Sequence, residues 1–383
     1  MSRNLVICCD GTNNQFGTQN TSVVRLVQAL DRNPTKQRLF YDPGVGTLPE
    51  PGHFTAIGKR ISEILGLAIG VGLTDKVENA YTFLMDSLEL GDQVYLFGFS
   101  RGAYTARVLA GLLHTLGLLP RGGHNLTPYV LRLFGGLRGY HERDDASGFW
   151  NLCDEFRRTF SRVAQPGRDD RRFPVRFLGL WDTVSSVGWV WDPVKFPFTT
   201  SNPSVSVIRH AVSVDERRAF FRQHLMNPTP GQDLQELWFP GVHSDVGGGY
   251  PEADGGLWRI PFEWMISDAE HAGLLVDRAR LQTVLNRSPA SQTPWNDPQH
   301  ESLTPLWWPA EFFPKMQWNR KYERRLPTLG LGRPRFIPTG AMMHQSVLLR
   351  VRQTAYAPSN FSEAFLQKIR NLGSVPTSLP YER

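Results

Sequence analysis

Short apolar runs alternate with segments of helical periodicity along most of the chain. Runs typical of buried strands lie at residues 4–9, 38–41, 94–97, 175–181 and 236–239. Between them, apolar residues recur at helical spacing at residues 21–30, 74–88 and 103–113. This alternation predicts an α/β fold with a doubly wound, mostly parallel sheet, because parallel strands need crossover helices that cover both faces.

Three irregular stretches are too long for ordinary connections in an α/β sheet, at about residues 121–172, 185–204 and 286–340. We interpret them as insertions that form a cap. The expected organisation is a core at residues 1–285, with insertions at about 121–172 and 185–204. A C-terminal cap or insertion region, residues 286–383, is expected to pack on this core and to face a membrane.

Composition narrows the class of protein. The 383 residues include 42 Lys and Arg against 36 Asp and Glu, a net charge of +6, and 40% are hydrophobic, which is enough for a core. Cys8, Cys9 and Cys153 cannot staple a chain of this size, so a reducing compartment is favoured. The N-terminus lacks a secretory signal, and the apolar stretch at residues 61–73 is too short to span a bilayer. We therefore expect a soluble protein, cytoplasmic in the producing cell, and no nucleic-acid partner.

Ligands of open α/β sheets bind at the carboxyl ends of the strands, so the residues after each strand are the first to consider. The strand at 94–97 leads through G-F-S-R-G into a helix rich in small residues. This context is typical of a nucleophile elbow, with Ser100 exposed on a sharp turn and Gly98 and Gly102 permitting close backbone approach. In the alternative interpretation, Ser100 caps the helix that follows.

A nucleophilic serine needs a base and an orienting carboxylate. Asp182 follows the strand at 175–181 and His243 follows the strand at 236–239, in the chain order of α/β-hydrolases. In alternative interpretations Asp182 caps a short helix, and His344 is the base. A metal site at His243 and Asp245 would need further ligands, so we expect no metal and no cofactor.

Acyl transfer also needs donors for the oxyanion. The backbone N–H of Arg101 is one candidate, and Gly11 or Thr12, in the loop after the first strand, supplies the other. Asp10 either orients this loop by accepting its N–H groups or is an ordinary turn residue.

Six motifs carry a family resemblance: C-D-G-T-N-N, Y-D-P-G-V-G-T, G-F-S-R-G-A-Y-T-A-R, G-L-W-D-T-V, V-D-E-R-R and W-F-P-G-V-H-S-D-V-G-G-G-Y. Together, from about residue 5 to 250, they resemble an α/β-hydrolase family, formerly catalogued as a domain of unknown function, that includes type VI secretion phospholipase effectors. The C-terminal third matches less clearly, H-Q-S-V-L-L-R being its best fragment. The resemblance implies a triad of Ser100, Asp182 and His243, and an esterase acting on phospholipids. It also implies a phospholipid membrane surface, a secretion-apparatus component and an immunity protein as partners, with delivery to the periplasm of a target cell independent of a signal peptide.

Residues 295–325 combine aromatic and basic side chains: Trp295, Trp307, Trp308, Phe312, Phe313, Lys315, Trp318, Arg320, Lys321, Tyr322, Arg324 and Arg325. Such a mixture suits a lipid headgroup interface, and it equally suits an aromatic insertion packed over the core. Trp189 and Trp191 either line an acyl pocket or close the loop after Asp182.

Three hypotheses follow. The first is a serine esterase for phospholipids, and the second keeps the same triad for a soluble ester or thioester. The third is a non-catalytic α/β module that binds a membrane or a secretion partner.

Overall fold

In the computed structural model, the protein forms a mixed sheet of eight strands. It describes residues 2–11, 17, 19–44, 71–136, 146–163, 172–184, 188–189, 192–193, 196–287, 293–312, 314–319 and 324–382. The strands there are β1 (Asn4–Cys9), β2 (Gln37–Asp42), β3 (Gln93–Phe99), β4 (Val175–Trp181), β5 (Gly188–Trp189), β6 (Asp192–Pro193), β7 (Val205–Ser213), β8 (Asp233–Phe239), β9 (Lys315–Asn319), β10 (Arg324–Thr328), β11 (Met342–His344) and β12 (Ser378–Pro380). β5 pairs with β6 and β9 with β10 in two separate hairpins.

The order of the main sheet is β12-β11-β8-β7-β4-β3-β1-β2. Its neighbours are parallel except for the antiparallel pair of β11 and β12 at one edge. The predicted α/β fold with a mostly parallel sheet is thus confirmed. β7 was not among the predicted strands, although it lies near the centre between β4 and β8.

The helices in the described part of the chain are α1 (Ser22–Ala29), α2 (Val71–Ser87), α3 (Arg101–Leu116), α4 (Thr127–Gly135), α5 (Ala146–Phe160), α6 (His243–Gly247), α7 (Arg259–His271), α8 (Arg278–Leu285), α9 (Trp308–Glu311), α10 (Gln345–Gln353) and α11 (Glu363–Arg370). Local capping defines several starts; the Thr21 hydroxyl, for example, accepts the Val24 N–H at 3.2 Å before α1. The helical spacing in the sequence, which begins at residue 74, places the start of α2 too late. α2 begins at Val71, because this extension buries Leu73 on the same face as Val77.

Both faces of the sheet are covered, as side-chain alternation along its strands requires. In β1, Leu5 and Ile7 join a core cluster with α2, α3, α4 and α5, whereas Val6 and Cys8 join another with α1, α7 and α8. The helices of the first predicted insertion, α4 and α5, therefore pack beside α3 on one face.

The sheet continues into the C-terminal region. β11 pairs with β8, and a third core cluster joins β7 and β8 to α10 and α11. The division into a core at 1–285 and a cap at 286–383 stays a prediction, with residues 342–344 and 378–380 contributing strands to the common sheet. In the part of the chain that the structure describes, no helix is both long and apolar enough to cross a membrane.

Candidate active site

Ser100 lies on a strained turn between β3 and α3. Its φ of 58° and ψ of −123° are unusual for a residue with a side chain. The Ser100 hydroxyl makes no capping hydrogen bond to α3. The turn instead directs the Ser100 Oγ toward His243, so the helix-capping interpretation does not describe this side chain.

The two glycines of the elbow allow backbones to approach where a side chain would collide. A Cβ at Gly98 would lie 2.5 Å from the Gly102 carbonyl oxygen, and a Cβ at Gly102 would lie 2.2 Å from that of Cys9. α3 can therefore start directly against β1 and β3. The role of Gly98 and Gly102 in a nucleophile elbow stays a prediction.

The structure brings Ser100, His243 and Asp182 together. His243 Nε2 lies 2.8 Å from Ser100 Oγ, and His243 Nδ1 lies 2.5 Å from Asp182 Oδ2. All three residues are buried. With the Nδ1 proton on the Asp182 side, Nε2 is free to accept the hydroxyl proton, which is the arrangement that general-base activation of a serine needs.

Sheet topology explains why three residues so distant in sequence meet. β3, β4 and β8 run in the same direction, so Ser100, Asp182 and His243 follow strands whose carboxyl ends share one edge of the sheet. Asp182 starts no helix, and its N–H donates to the Ala211 carbonyl of β7 at 2.7 Å. The helix-cap alternative for Asp182 is therefore not seen.

Asp182 has two further partners that the sequence analysis missed. The Ser213 N–H donates to Asp182 Oδ1 at 2.9 Å, and the Arg335 guanidinium contacts both carboxylate oxygens, at 2.6 and 2.9 Å. Burial alone would raise the pKa of Asp182, but the charge of Arg335 and the hydrogen bond with His243 outweigh it and lower the pKa well below its usual range. Asp182 is thus held as an anion.

The surroundings of His243 disfavour its protonated form. Burial lowers the pKa of His243, and the hydrogen bond and charge of Asp182 offset only part of that effect. The His243 ring also contacts two aromatic rings, with centroid distances of 4.6 Å to Phe99 and 4.8 Å to Phe221. An unprotonated imidazole is the form that can act as a base.

Glu216, from the V-D-E-R-R motif, fixes the backbone beneath His243. Its carboxylate accepts the His243 N–H at 3.2 Å and the Ser302 hydroxyl at 2.9 Å, and it forms a two-pronged ion pair with Arg218 at 2.9 Å. Burial opposes ionisation, but the charge and hydrogen bonds of Arg218 lower the pKa of Glu216 to about 2. No role for Glu216 was predicted, although its motif was noted.

Asp245, a secondary candidate, closes the turn that precedes His243. Its Oδ2 accepts the Val242 N–H at 3.0 Å, and its Oδ1 lies 2.6 Å from His300 Nδ1. Among the residues that the structure describes, no three His, Cys, Asp or Glu side chains are grouped so that they could hold a metal ion.

Asp10, which directly follows β1, lies beside the turn at Ser100, since a Cβ at Gly102 would lie 2.4 Å from the Asp10 carbonyl oxygen. The Gly11 N–H donates to Asp10 Oδ1 at 2.7 Å, and Asp10 Oδ2 accepts the Thr21 and Tyr41 hydroxyls. The Gly11 N–H is thus directed to Asp10, and the orienting role of Asp10 stays a prediction. Thr12 lies outside the described residues, and the oxyanion assignment stays a prediction.

His344, the alternative base, is engaged elsewhere. It ends β11, a strand that the sequence analysis did not predict, and its Nδ1 accepts the Ser346 N–H at 3.1 Å at the start of α10. Burial lowers the pKa of His344 to about 4. This side chain caps a helix and stacks on Phe239, with ring centroids 4.5 Å apart.

The aromatic and basic stretch divides into a packed part and an exposed part. The Trp307 ring packs 5.5 Å from that of Phe221, which itself contacts His243. Trp308 and Phe312 are exposed, at 39% and 60% of their surface. Within this stretch, Phe313, Arg320, Lys321 and Tyr322 lie outside the described residues, and so do the side chains of Lys315, Trp318, Arg324 and Arg325. Trp191 and the side chain of Trp189, in the loop after Asp182, also lie outside them.

The family model for the catalytic domain of the Tle1-like phospholipase effectors of type VI secretion systems matches residues 3–268. The chain belongs to this family, and the family predicted from its motifs is confirmed. A curated relative, the uncharacterised protein YEL023C of Saccharomyces cerevisiae, is 33% identical over 237 residues. That match covers 60% of this chain and 33% of the yeast protein.

Two solved structures show weaker similarity. An uncharacterised protein from Pseudomonas aeruginosa is 18% identical, with a TM-score of 0.45 over 74% of this chain and 49% of that chain. The Tle1 effector bound to the VgrG spike of the type VI secretion system is 22% identical, with a TM-score of 0.35 over 65% of this chain and 51% of that one. The chain thus spans about a third of the yeast relative and about half of these two structures.

Proposed function

We propose that this chain is a serine esterase that hydrolyses acyl ester bonds of phospholipids, as a phospholipase of the A type. The observation that carries the proposal is the 2.8 Å contact between Ser100 Oγ and His243 Nε2 at a strained elbow. Membership in a family of phospholipase effectors supports a phospholipid as the source of the ester. Asp182 is the carboxylate that orients His243.

The reaction follows from these contacts. His243 Nε2 takes the Ser100 proton as Oγ attacks the ester carbonyl carbon, and Asp182 stabilises the imidazolium that forms. His243 then gives the proton to the leaving alcohol oxygen as its bond to the acyl carbon breaks, which leaves an acyl-Ser100 ester. A water molecule, deprotonated by His243, releases the fatty acid and restores the Ser100 hydroxyl.

For the oxyanion we propose the Arg101 N–H together with an N–H of the loop after β1, at Gly11 or Thr12. A Cβ at Gly102 would touch the carbonyl oxygens of Cys9 and Asp10, which supports the proximity of this loop to the elbow. For Gly11 to serve, its hydrogen bond to Asp10 would have to open.

A fluorophosphonate probe tests the nucleophile. We expect wild-type protein to be labelled at Ser100, Ser100→Ala to be unlabelled, and the matched control Ser267→Ala, which alters an exposed serine of α7, to label like wild type. Folded wild-type protein that does not label would favour the non-catalytic module. Mass spectrometry of liposome products should detect fatty acid and lysophospholipid; hydrolysis of monomeric esters alone would favour the soluble substrate.

We further propose that the enzyme acts at a phospholipid surface, docking through the exposed part of its C-terminal region. Among the described side chains of residues 308–336, five large apolar ones are exposed: Trp308, Phe312, Leu329, Leu331 and Phe336. Exposed apolar groups of this density are typical of interaction sites. Trp307 and Phe221 connect this segment to His243, which supports a lipid as its partner, because the cleaved ester then lies close to the docking surface.

Delivery is a separate proposal, supported by the family's description. We propose that a type VI apparatus carries the protein to the periplasm of a target cell, with an apparatus component and an immunity protein as partners. Expression in a Gram-negative bacterium tests the site of action: an exported form should be toxic, whereas exported Ser100→Ala and the unexported wild-type form should not. Toxicity of the exported Ser100→Ala protein would contradict a catalytic cause.

A further inference from the structure

The carboxylate of Asp182 is held by a residue far beyond the catalytic-domain match. Arg335 lies in the C-terminal region, and the family match ends at residue 268. Its guanidinium places one nitrogen 2.6 Å from Asp182 Oδ1 and the other 2.9 Å from Oδ2. Two parallel N–H donors on two oxygens fix the rotation of a carboxylate as well as its position.

The same guanidinium ties together the segments around His243. It donates to the Ser213 hydroxyl at 2.7 Å and, through Nε, to the Phe221 carbonyl at 3.1 Å. Ser213 also binds Asp182, and the Phe221 ring contacts His243. Arg335 is 1% exposed, so these hydrogen bonds form away from water. Hydrogen bonds in the protein interior are stronger than in water, so they fix the orientation of the guanidinium more tightly.

The loop that carries Arg335 is itself anchored to the body of the protein. The buried Glu311 side chain accepts the Gly332 N–H at 3.0 Å and the Ala219 N–H at 2.6 Å. The Asn360 amide donates to the Arg335 carbonyl at 3.2 Å and to the Val214 carbonyl at 3.0 Å. The guanidinium is thus presented to Asp182 by a fixed backbone.

The charge of Arg335 should have a measurable effect on the pKa of His243. Charged groups lie around both His243 and its partner Asp182: Glu216 and Arg218 act on His243, Arg335 contacts Asp182, and Asp245 lies on the helix of His243. Asp182 attracts a proton to His243, and Arg335 offsets part of that attraction. Removal of the Arg335 charge should therefore raise the pKa of His243, which protonates the base at pH values where it is neutral in the wild type.

We propose that Arg335 is a positioning residue for the triad: it holds the Asp182 carboxylate ionised and in the orientation that the Nδ1–H of His243 requires. The inference rests on the proposed function, because it acts through Asp182 and His243. It makes the loop around residue 335 part of the catalytic unit, although this loop lies outside the matched catalytic domain.

The test compares Arg335→Met, Arg335→Lys and wild type in full-length protein, with Arg333→Met as the control for an exposed arginine two residues away. We would measure kcat and the pH dependence of kcat/KM on a monomeric ester, and the pH dependence of fluorophosphonate labelling. Arg335→Met should lose at least about tenfold in kcat, with the rising limb of the profile displaced upward by about one pH unit. Arg333→Met should match wild type.

Arg335→Lys keeps the charge and loses the two-pronged contact. Its rising limb should stay at the wild-type position, and its kcat should lie between those of wild type and Arg335→Met. Full kcat in Arg335→Lys would overturn the orienting role, and this variant decides the question if Arg335→Met does not fold.

Equal losses of kcat in Arg335→Met and Arg335→Lys, with no shift of the rising limb of the pH profile, would show a merely structural role and overturn the proposal. Folded Arg335→Met with wild-type kcat and limb would also overturn it while leaving the triad intact. Wild-type protein that does not label at Ser100 would instead overturn the proposed function, and this inference with it.

Discussion

The buried network around His243 and the exposed apolar side chains of residues 308–336 differ in their contact with water. At the sheet edge, buried charged groups are paired and hydrogen bonded: Asp182 with Arg335, and Glu216 with Arg218. In the exposed segment, apolar rings such as Trp308 and Phe312 remain in water. A buried charge needs an opposite charge or hydrogen bonds within the protein, whereas an exposed apolar side chain is stabilised when it binds another molecule.

This difference separates chemistry from docking. In the proposed mechanism, the buried network sets the protonation and orientation of Ser100, His243 and Asp182 before any substrate arrives, which is how preorganised sites favour reaction. Within residues 308–336 only the exposed apolar side chains are assigned to docking, because Arg335 of the same stretch belongs to the buried network. Substitutions in the buried network should therefore impair hydrolysis of every substrate, and substitutions of the exposed apolar side chains should impair only hydrolysis of substrates held in a bilayer.

The largest expected effect is loss of the base. His243→Ala should lower kcat by at least about a thousandfold on vesicles and monomeric esters alike, because triad members act as a unit. His344→Ala, which removes the buried histidine that caps α10, should change kcat by less than about tenfold. Steady-state kinetics on both substrates provide the measurement, and a larger loss at His344 would overturn the assignment of the base.

Stability should distinguish a buried ion pair from an exposed one. In Glu216→Gln, an amide N–H2 replaces a carboxylate oxygen that only accepts hydrogen bonds, so the free energy of unfolding should fall by about 3 kcal/mol. Glu301→Gln breaks the exposed pair with Arg217 and should cost less than about 0.5 kcal/mol. Denaturant unfolding measures both, and equal values would contradict the contrast between the two environments.

A smaller effect is expected at the exposed segment. Trp308→Ala with Phe312→Ala should reduce vesicle hydrolysis at least about tenfold, because burying one aromatic ring in lipid stabilises binding by about 1.5–3 kcal/mol. Hydrolysis of a monomeric ester should be unchanged. Trp307 is left intact here, since its contact with Phe221 would confound the comparison.

The matched control for this pair is Tyr129→Ala with Phe160→Ala, two exposed aromatic residues outside the segment. The control should leave vesicle hydrolysis near the wild-type rate. Equal losses in the two double variants, or equal losses on vesicles and monomeric ester, would assign the exposed segment to packing.

The smallest expected effect is a shift in the rising limb of the pH profile of kcat/KM. His243 acts as a base only when unprotonated, and burial lowers its pKa from the ordinary value of 6.5. The rising limb of kcat/KM should therefore lie below pH 6.5, at the same position on vesicles and monomeric ester. A limb above pH 7, or one that differs between the two substrates, would show that another group controls the reaction.

Some elements were predictable because their signals are local. β1, β3 and β4 are short apolar runs, and the elbow at Ser100 is marked by two glycines within five residues. Each strand ends in a turn, so Asp182 and His243 could be selected as the residues that follow strands. The order of these residues then predicted their meeting at one edge of a parallel sheet.

β7 escaped prediction because charged and polar residues lie along it, two of them adjacent at its centre. Arg209 and His210 interrupt its apolar pattern, yet both are buried. Arg209 pairs with Asp233 at 2.7 Å and also with Asp268, and His210 lies 2.8 Å from Glu236. These partners come from other elements, so nothing in the strand itself marks it as central.

The sequence by itself determined the class of fold and the family, and it predicted the sharp turn at Ser100, because each depends on the spacing of neighbouring residues. The tertiary structure alone decided which charges surround the triad. Arg335 is 153 positions from Asp182 and occupies an irregular loop, so no periodicity connects the two. Their contact exists because folding removes both groups from water, and a buried charge is tolerated only where the fold supplies an opposite one.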